Sequence, residues 1–102
     1  MIELSRATRS RIRVLFPPDE WSMVEDLLAH RCGDNLPFVE PSSTRLAERI
    51  RFAVLKLSQG SLTRLQREID EAHVDWRDTL MAAGFGHDAS AHRRWKPEQN
   101  GL

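Results

Sequence analysis

Apolar residues recur at spacings of three and four through the middle of the chain. In SSTRLAERIRFAVLKLSQG, Leu46, Ala47, Ile50, Ala53, Val54 and Leu57 share one face of a helix, while Arg45, Glu48, Arg49, Arg51 and Lys56 fall largely on the other sides. Ser42, Ser43 or Thr44 supplies the N-cap oxygen, and Gly60 is the stop, because glycine enters the left-handed region without a Cβ penalty. Leu62, Leu65, Ile69 and Ala72 then form a second stripe, with Thr63, Arg64, Arg67, Asp70 and Glu71 pointing mostly away. Two helices joined by so short a turn are neighbours in space.

The second stripe runs on through Trp76, Leu80 and Ala83. Either one helix spans Leu62 to Ala83, roughly 33 Å at 1.5 Å per residue, or the helix breaks at Val74 and restarts with Asp75 as N-cap and Asp78 in its first turn. The break is preferred, since it gives Asp75 a purpose and finds core places for Val74 and Met81. Gly84 and Gly86 end this region in both cases.

Outside the hairpin the pattern changes. Residues 1–10 are polar and expected to be flexible. Ile12, Val14 and Phe16 alternate with Arg11, Arg13 and Leu15, which is the period of a strand. With no partner strand in view, residues 11–16 are expected to form an extended arm packed on the helices, the alternative being a strand pair across a dimer. Pro18 is placed as a first helical residue, with Asp19 and Glu20 at the positive end of the helix dipole. Trp21, Val24, Leu27 and Leu28 give that helix its buried stripe, and Gly33 its stop after Cys32. From Asp34 to Pro41 the chain is a loop, from which Leu36, Phe38 and Val39 tuck against the core. Asp88 caps one or two turns ending at a docking residue, Trp95, and residues 96–102 are expected to be a disordered tail. The fold class that follows is all-α: a small orthogonal bundle of four to five helices over residues 11–95, with an extended N-terminal arm. Its core comprises Trp21, Val24, Leu28, Leu46, Ile50, Val54, Leu57, Leu65, Ile69, Trp76 and Leu80.

Composition narrows the function classes. With 102 residues the chain is one domain, and 40% hydrophobic with 29% charged residues is ordinary for a globular protein. Fifteen basic and fifteen acidic residues leave no net charge, so no global field draws the chain to nucleic acid or to an anionic membrane. The basic residues are nearly all arginine and come in blocks, at 6–13 and 45–67, separated by an acidic stretch at 17–40 and followed by another at 68–88. Such blocks read as solvated faces that attract one another within the fold or between subunits. The lone Cys32 cannot form an internal disulfide, and no apolar run reaches the length of a signal-peptide core or a membrane span, so a cytoplasmic location is expected.

Candidate chemistry is sparse. His87, Asp88 and His92 are the nearest approach to a metal or phosphohydrolase signature. His87 and His92 are five apart, off the spacing that aligns two imidazoles on one helical face, so caps and surface positions explain them better. Asp70, Glu71, Asp75 and Asp78 lack the spacing of a calcium loop. Cys32 beside His30 projects in a different direction and reads as a buried thiol. No nucleophile elbow, phosphate loop or dinucleotide fingerprint is present, so no catalytic, cofactor-binding or metal-binding residue is assigned and an enzyme is not expected.

The hairpin also has the lengths of a helix-turn-helix, with Thr63, Arg64, Gln66 and Arg67 at the start of the would-be recognition helix, where arginine and glutamine can read guanine and adenine edges. Glu68, Asp70 and Glu71 on the same helix would oppose phosphates. The segment DWRD at 75–78, AGFGHD at 83–88 and AHRRW at 91–95 resembles the C-terminal part of small uncharacterised bacterial helical proteins. That resemblance implies a bacterial cytoplasmic origin and brings no activity, cofactor or partner with it. The function expected from the sequence is therefore a non-enzymatic, self-associating protein-protein interaction module. Arg11, Arg13, Arg64, Gln66 and Arg67 are its candidate contact residues, its partner is a second copy or another protein, and a membrane role is excluded. A DNA-binding regulator using residues 61–73 is the alternative.

Overall fold

Residues 50 to 55 are buried without interruption, so the helix that carries them is enclosed by its neighbours and not laid against them along one stripe. The computed structural model describes residues 3–33, 36, 44–88 and 90–97. In chain order the elements are α1 (Arg6–Leu15), a single 3-10 turn (Pro18–Glu20) leading into α2 (Trp21–Arg31), α3 (Thr44–Ser58), α4 (Leu62–Ala82) and α5 (Ala91–Arg94). The central α3 packs against α4, α1 and α5, while α2 packs on α1 and α4. Among the described residues every regular element is helical, as the pattern predicts. Ile12, Val24, Leu28, Ile50, Phe52, Leu55, Leu65 and Ile69 make up most of the large buried side chains, and Trp21, Leu46, Leu57 and Trp76 pack half-buried against them. Each fully buried aliphatic side chain contributes about 1.5–3 kcal/mol.

The N-terminal arm is a helix, which corrects the strand-period reading of residues 11–16 and the expectation of a flexible segment over 6–10. Its inward face is Thr8, Arg11, Ile12 and Phe16, at helical spacing. Two of those four positions hold polar side chains, and that hid the helical period from a hydrophobicity count. Ser5 caps the helix, its Oγ accepting from Thr8 N at 3.1 Å. Phe38 and Val39, expected to tuck inward, lie outside the described residues, whereas Leu36 is buried as expected.

Gly60 closes the α3–α4 turn in the left-handed region (φ +81°), and a Cβ there would lie 2.6 Å from Leu15 O. The turn therefore packs closely on the end of α1. Farther along α4, Asp75 has extended backbone (φ −158°, ψ 101°), and its Oδ1 accepts from Arg77 N at 3.0 Å. This is the expected break, with Asp75 as the N-cap of the second half. The expected burial of Val74 and Met81 does not follow from it: they are 83% and 68% exposed. Trp76, Leu80 and Ala83 still face inward beyond the break, so the kink bends the axis without rotating its faces, and Val74 and Met81 stay outside.

Basic and polar side chains close the helix C-termini, where carbonyls lack intrahelical donors. Trp21 Nε1 donates to Phe16 O at the end of α1 (2.8 Å), and Arg51 Nε donates to Cys32 O at the end of α2 (2.6 Å). Beyond α4, Lys56 Nζ donates to Ala83 O (2.8 Å) and Arg49 Nη2 to Phe85 O (2.6 Å). Arg11 Nη2 donates to Trp95 O after α5 (2.8 Å). Arg51, expected on a solvent side of α3, is 2% exposed and also donates from Nη1 to Glu3 O at 3.0 Å. Gly33 makes room for it, since a Cβ there would lie 2.8 Å from Arg51 Nη2. The arginine block at 45–67 thus includes residues that bind the bundle together from inside.

Candidate interaction surface

Among the described residues, the side of α4 opposite its core stripe is largely exposed. Along that outer side run Arg64, Arg67, Glu71, Val74, Asp78 and Met81, at alternating spacings of three and four. All but the half-buried Arg64 are exposed. Two large apolar side chains, Val74 and Met81, are therefore exposed among charges, Met81 with its thioether against Gly86, the bases at the N-terminal end and the acids towards the C-terminal end. At the kink the helix surface opens into a cleft of about 310 Å³, lined by Val74 and Ala82 and by the carboxylates of Glu68, Glu71, Asp75 and Asp78. No basic residue lines it, and of its four carboxylates Asp75 is paired with the neighbouring Arg77, whose Nε lies 3.4 Å from Asp75 Oδ1.

The sequence-predicted contact residues separate into three groups. Arg11 lies inside: it is 8% exposed, its guanidinium stacks 4.1 Å from the Phe52 ring centroid, and it donates to Ala7 O and Trp95 O. Arg13 is exposed on the last turn of α1, above the Trp21 ring at 5.5 Å. Arg64 and Arg67 belong to the outer stripe, Arg64 being held by Gln59 Oε1 at 2.8 Å, while Gln66 is exposed to one side of it. The Gly60–Leu15 approach brings the helix ends bearing Arg13 and Arg64 to one end of the bundle. Val74 and Met81 are the functional candidates that sequence reasoning missed. Their separation of seven residues, on the side opposite Ile69, Ala72 and Trp76, was the available signal.

A second polar cluster lies between α5 and α3. His92, expected at the surface, is fully buried, with Nε2 3.3 Å from Glu48 Oε1 and its ring edge-on to Phe52 (5.1 Å) and Phe85 (6.4 Å). Burial lowers the proton affinity of the imidazole, against the pull of the Glu48 carboxylate, and Arg93 and Arg49 oppose protonation further. Beside Glu48 is a cavity of about 240 Å³, lined also by Ser5, Thr8, Thr44, Arg45 and Arg51. Thr8 Oγ1 and Ser5 Oγ are bonded to each other at 2.9 Å, and the imidazole has no surface through which to reach a substrate. The His92–Glu48 pair therefore fastens α5 to α3.

The remaining reactive groups are similarly occupied. Cys32 is buried and its thiol is pushed up to about 12 by desolvation, which leaves no thiolate at neutral pH. Asp88 is held well below the usual carboxylate range by hydrogen bonds from Arg94 and Ser90. Among the described residues no three His, Cys, Asp or Glu side chains converge as a metal site, and no helix is long and apolar enough to cross a membrane. Comparison with protein-family models, curated proteins and solved structures returns no match.

Proposed function

We propose that the protein is a non-enzymatic protein-protein interaction module of the cytoplasm whose contact surface is the outer side of α4. The observation that carries this reading is the exposure of Val74 and Met81 at 83% and 68%, on a side where charged neighbours at helical spacing rim them. Apolar side chains surrounded by polar ones are the pattern of an interface centre and its rim. The number of arginines gives no support, because Arg11, Arg49 and Arg51 are spent on carbonyls of the same chain. A photo-crosslinking amino acid at Val74 tests the proposal, with the exposed Ser22 on α2 as control. A discrete protein adduct from position 74 and none from position 22 is expected. Absence of an adduct from both 74 and 81 would overturn it.

The helix-turn-helix reading keeps one favourable observation, the exposure of Thr63, Gln66 and Arg67 on the first turns of α4. Glu71 and Asp78 on the same side would meet phosphates with like charge. Anisotropy of labelled duplex fragments decides the matter: tight, salt-sensitive binding that survives Arg64→Ala with Arg67→Ala removes this reading, as do flat titrations.

A further inference from the structure

We infer that the occupant of the α4 surface is a second copy of this chain, its α4 antiparallel to the first about a two-fold axis near residues 72 and 73. The inference rests on the reading of that surface as an interface and adds who covers it and in which register.

The order of charges carries it. On the outer stripe the bases, Arg64 and Arg67, precede the acids, Glu71 and Asp78. Parallel pairing of two such stripes about a two-fold axis would set Arg67 against Arg67 and Asp78 against Asp78. Antiparallel pairing reverses this and sets Arg67 of each copy against Asp78 of the other. That register also sets Arg64 against Met81, whose thioether can lie along the arginine stem, and Glu71 against Val74. The two Val74 side chains then straddle the two-fold three residues apart, about 4.5 Å along the helices. The centre holds the Val74 pair and, at the same spacing, the two Glu71 side chains, with an opposite-charge pair of Arg67 and Asp78 on each side. A pattern that complements itself under reversal is what an isologous contact requires, and it closes at two copies.

The kink contributes a receptor for the partner's bases. The cleft holds the carboxylates of Glu68, Glu71 and Asp78 beside Asp75, whose own Oδ1 is already taken by Arg77, and Arg67 is the exposed base that the antiparallel register delivers there. An unrelated basic helix could satisfy the cleft. It would leave unexplained why this same stripe carries matching bases at the complementary offset.

Sedimentation velocity on the full chain, at low and high salt, tests the inference. The wild type is expected to dimerise in a concentration-dependent way that weakens with salt. Arg67→Glu alone and Asp78→Lys alone each place two like-charge contacts in the dimer, and each is expected to weaken it by about tenfold or more. An equimolar mixture of the two variants restores both pairs and is expected to recover the dimer as a heterodimer. Both substitutions are at exposed positions, so circular dichroism should show native helicity. A wild-type dimer that survives either reversal, or a mixture that fails to recover it, would sink the antiparallel register. A monomeric wild type whose Val74 crosslinks only to a protein of another mass would refute the second copy while leaving the interaction surface standing. Both ideas fall together if there is neither dimer nor adduct.

Discussion

α3 and α4 pack on each other, yet the basic side chains of α3 and those on the outer side of α4 meet opposite fates. On α3, Arg49, Arg51 and Lys56 turn to Phe85 O, Cys32 O and Ala83 O, at distances of 2.6–2.8 Å. On α4, Arg67 remains in water. The difference is the presence of an unfilled helix C-terminus within reach. A carbonyl at such an end lacks an intrahelical donor, and a guanidinium answers both that need and the negative end of the helix dipole. Where α3 is ringed by the ends of its neighbours, its bases become internal ties. Arginine content therefore says little about partners until the carbonyls have been located.

The largest effect that sharpens this contrast is expected from Arg51→Met. It keeps most of the stem but strips Cys32 O and Glu3 O of their donor inside the bundle, at a cost of about 3 kcal/mol. Urea denaturation measures it. A loss below about 0.5 kcal/mol would mean that the α3 bases tie nothing together. A smaller effect is expected from pH. His92 titrates below its ordinary value of 6.5 because it is buried, so as the pH falls past 6.5 the unfolded chain takes up a proton that the folded chain refuses. The stability supplied by the neutral, buried imidazole is present above that pH and is lost progressively below it. Urea midpoints should decline from about pH 7.5 to about pH 5.5, and His92→Gln should flatten the decline. An equal slope in the variant would dissociate the effect from the α5 fastening.

Much of the fold was legible because punctuation and period agreed. Gly60, Pro18 and Asp75 stand where a turn, a helix start and a break are observed, each for the backbone reason that sequence supplies. α1 was illegible because Thr8 and Arg11 occupy inward positions, and the burial of Arg11 depends on a partner distant in sequence, Trp95 O. Arg51 and His92 were misplaced for the same reason: each is buried against groups that only the tertiary fold brings to it. The candidate surface was half legible. Arg67 points outward as expected and Arg64 is half-buried, whereas Val74 and Met81 were assigned to the core on the assumption that large apolar residues go inside. That assumption is a one-way rule, and its exceptions mark the surface.

The kink that shapes this surface provides the next test. Asp75→Ala removes the side-chain oxygen that accepts from Arg77 N and should cost about 1 kcal/mol, the ordinary loss of an N-cap. It should also straighten α4, which amide exchange across residues 74–78 would register as stronger protection. Unchanged exchange would mean that packing on α3, and not the cap, holds the bend.

The smallest effect on the isolated chain is expected at Val74. Val54 on α3 is fully buried, and Val54→Ala should cost on the order of 2 kcal/mol through lost contacts and the cavity left behind. Val74 is 83% exposed, so Val74→Asp removes almost no buried area and should change the stability of the dilute monomer by less than about 0.5 kcal/mol. Concentration reverses the comparison. If two copies meet at Val74, mass action makes the wild-type melting temperature rise with protein concentration. An aspartate at the axis would place two like charges together and abolish that rise, whereas Val54→Ala would lower every melting temperature and leave the rise intact. Melting curves of the three proteins across a concentration series therefore separate a side chain that holds the monomer together from one that holds two monomers to each other. A Val74→Asp series that climbs with concentration as the wild type does would take Val74 out of the interface.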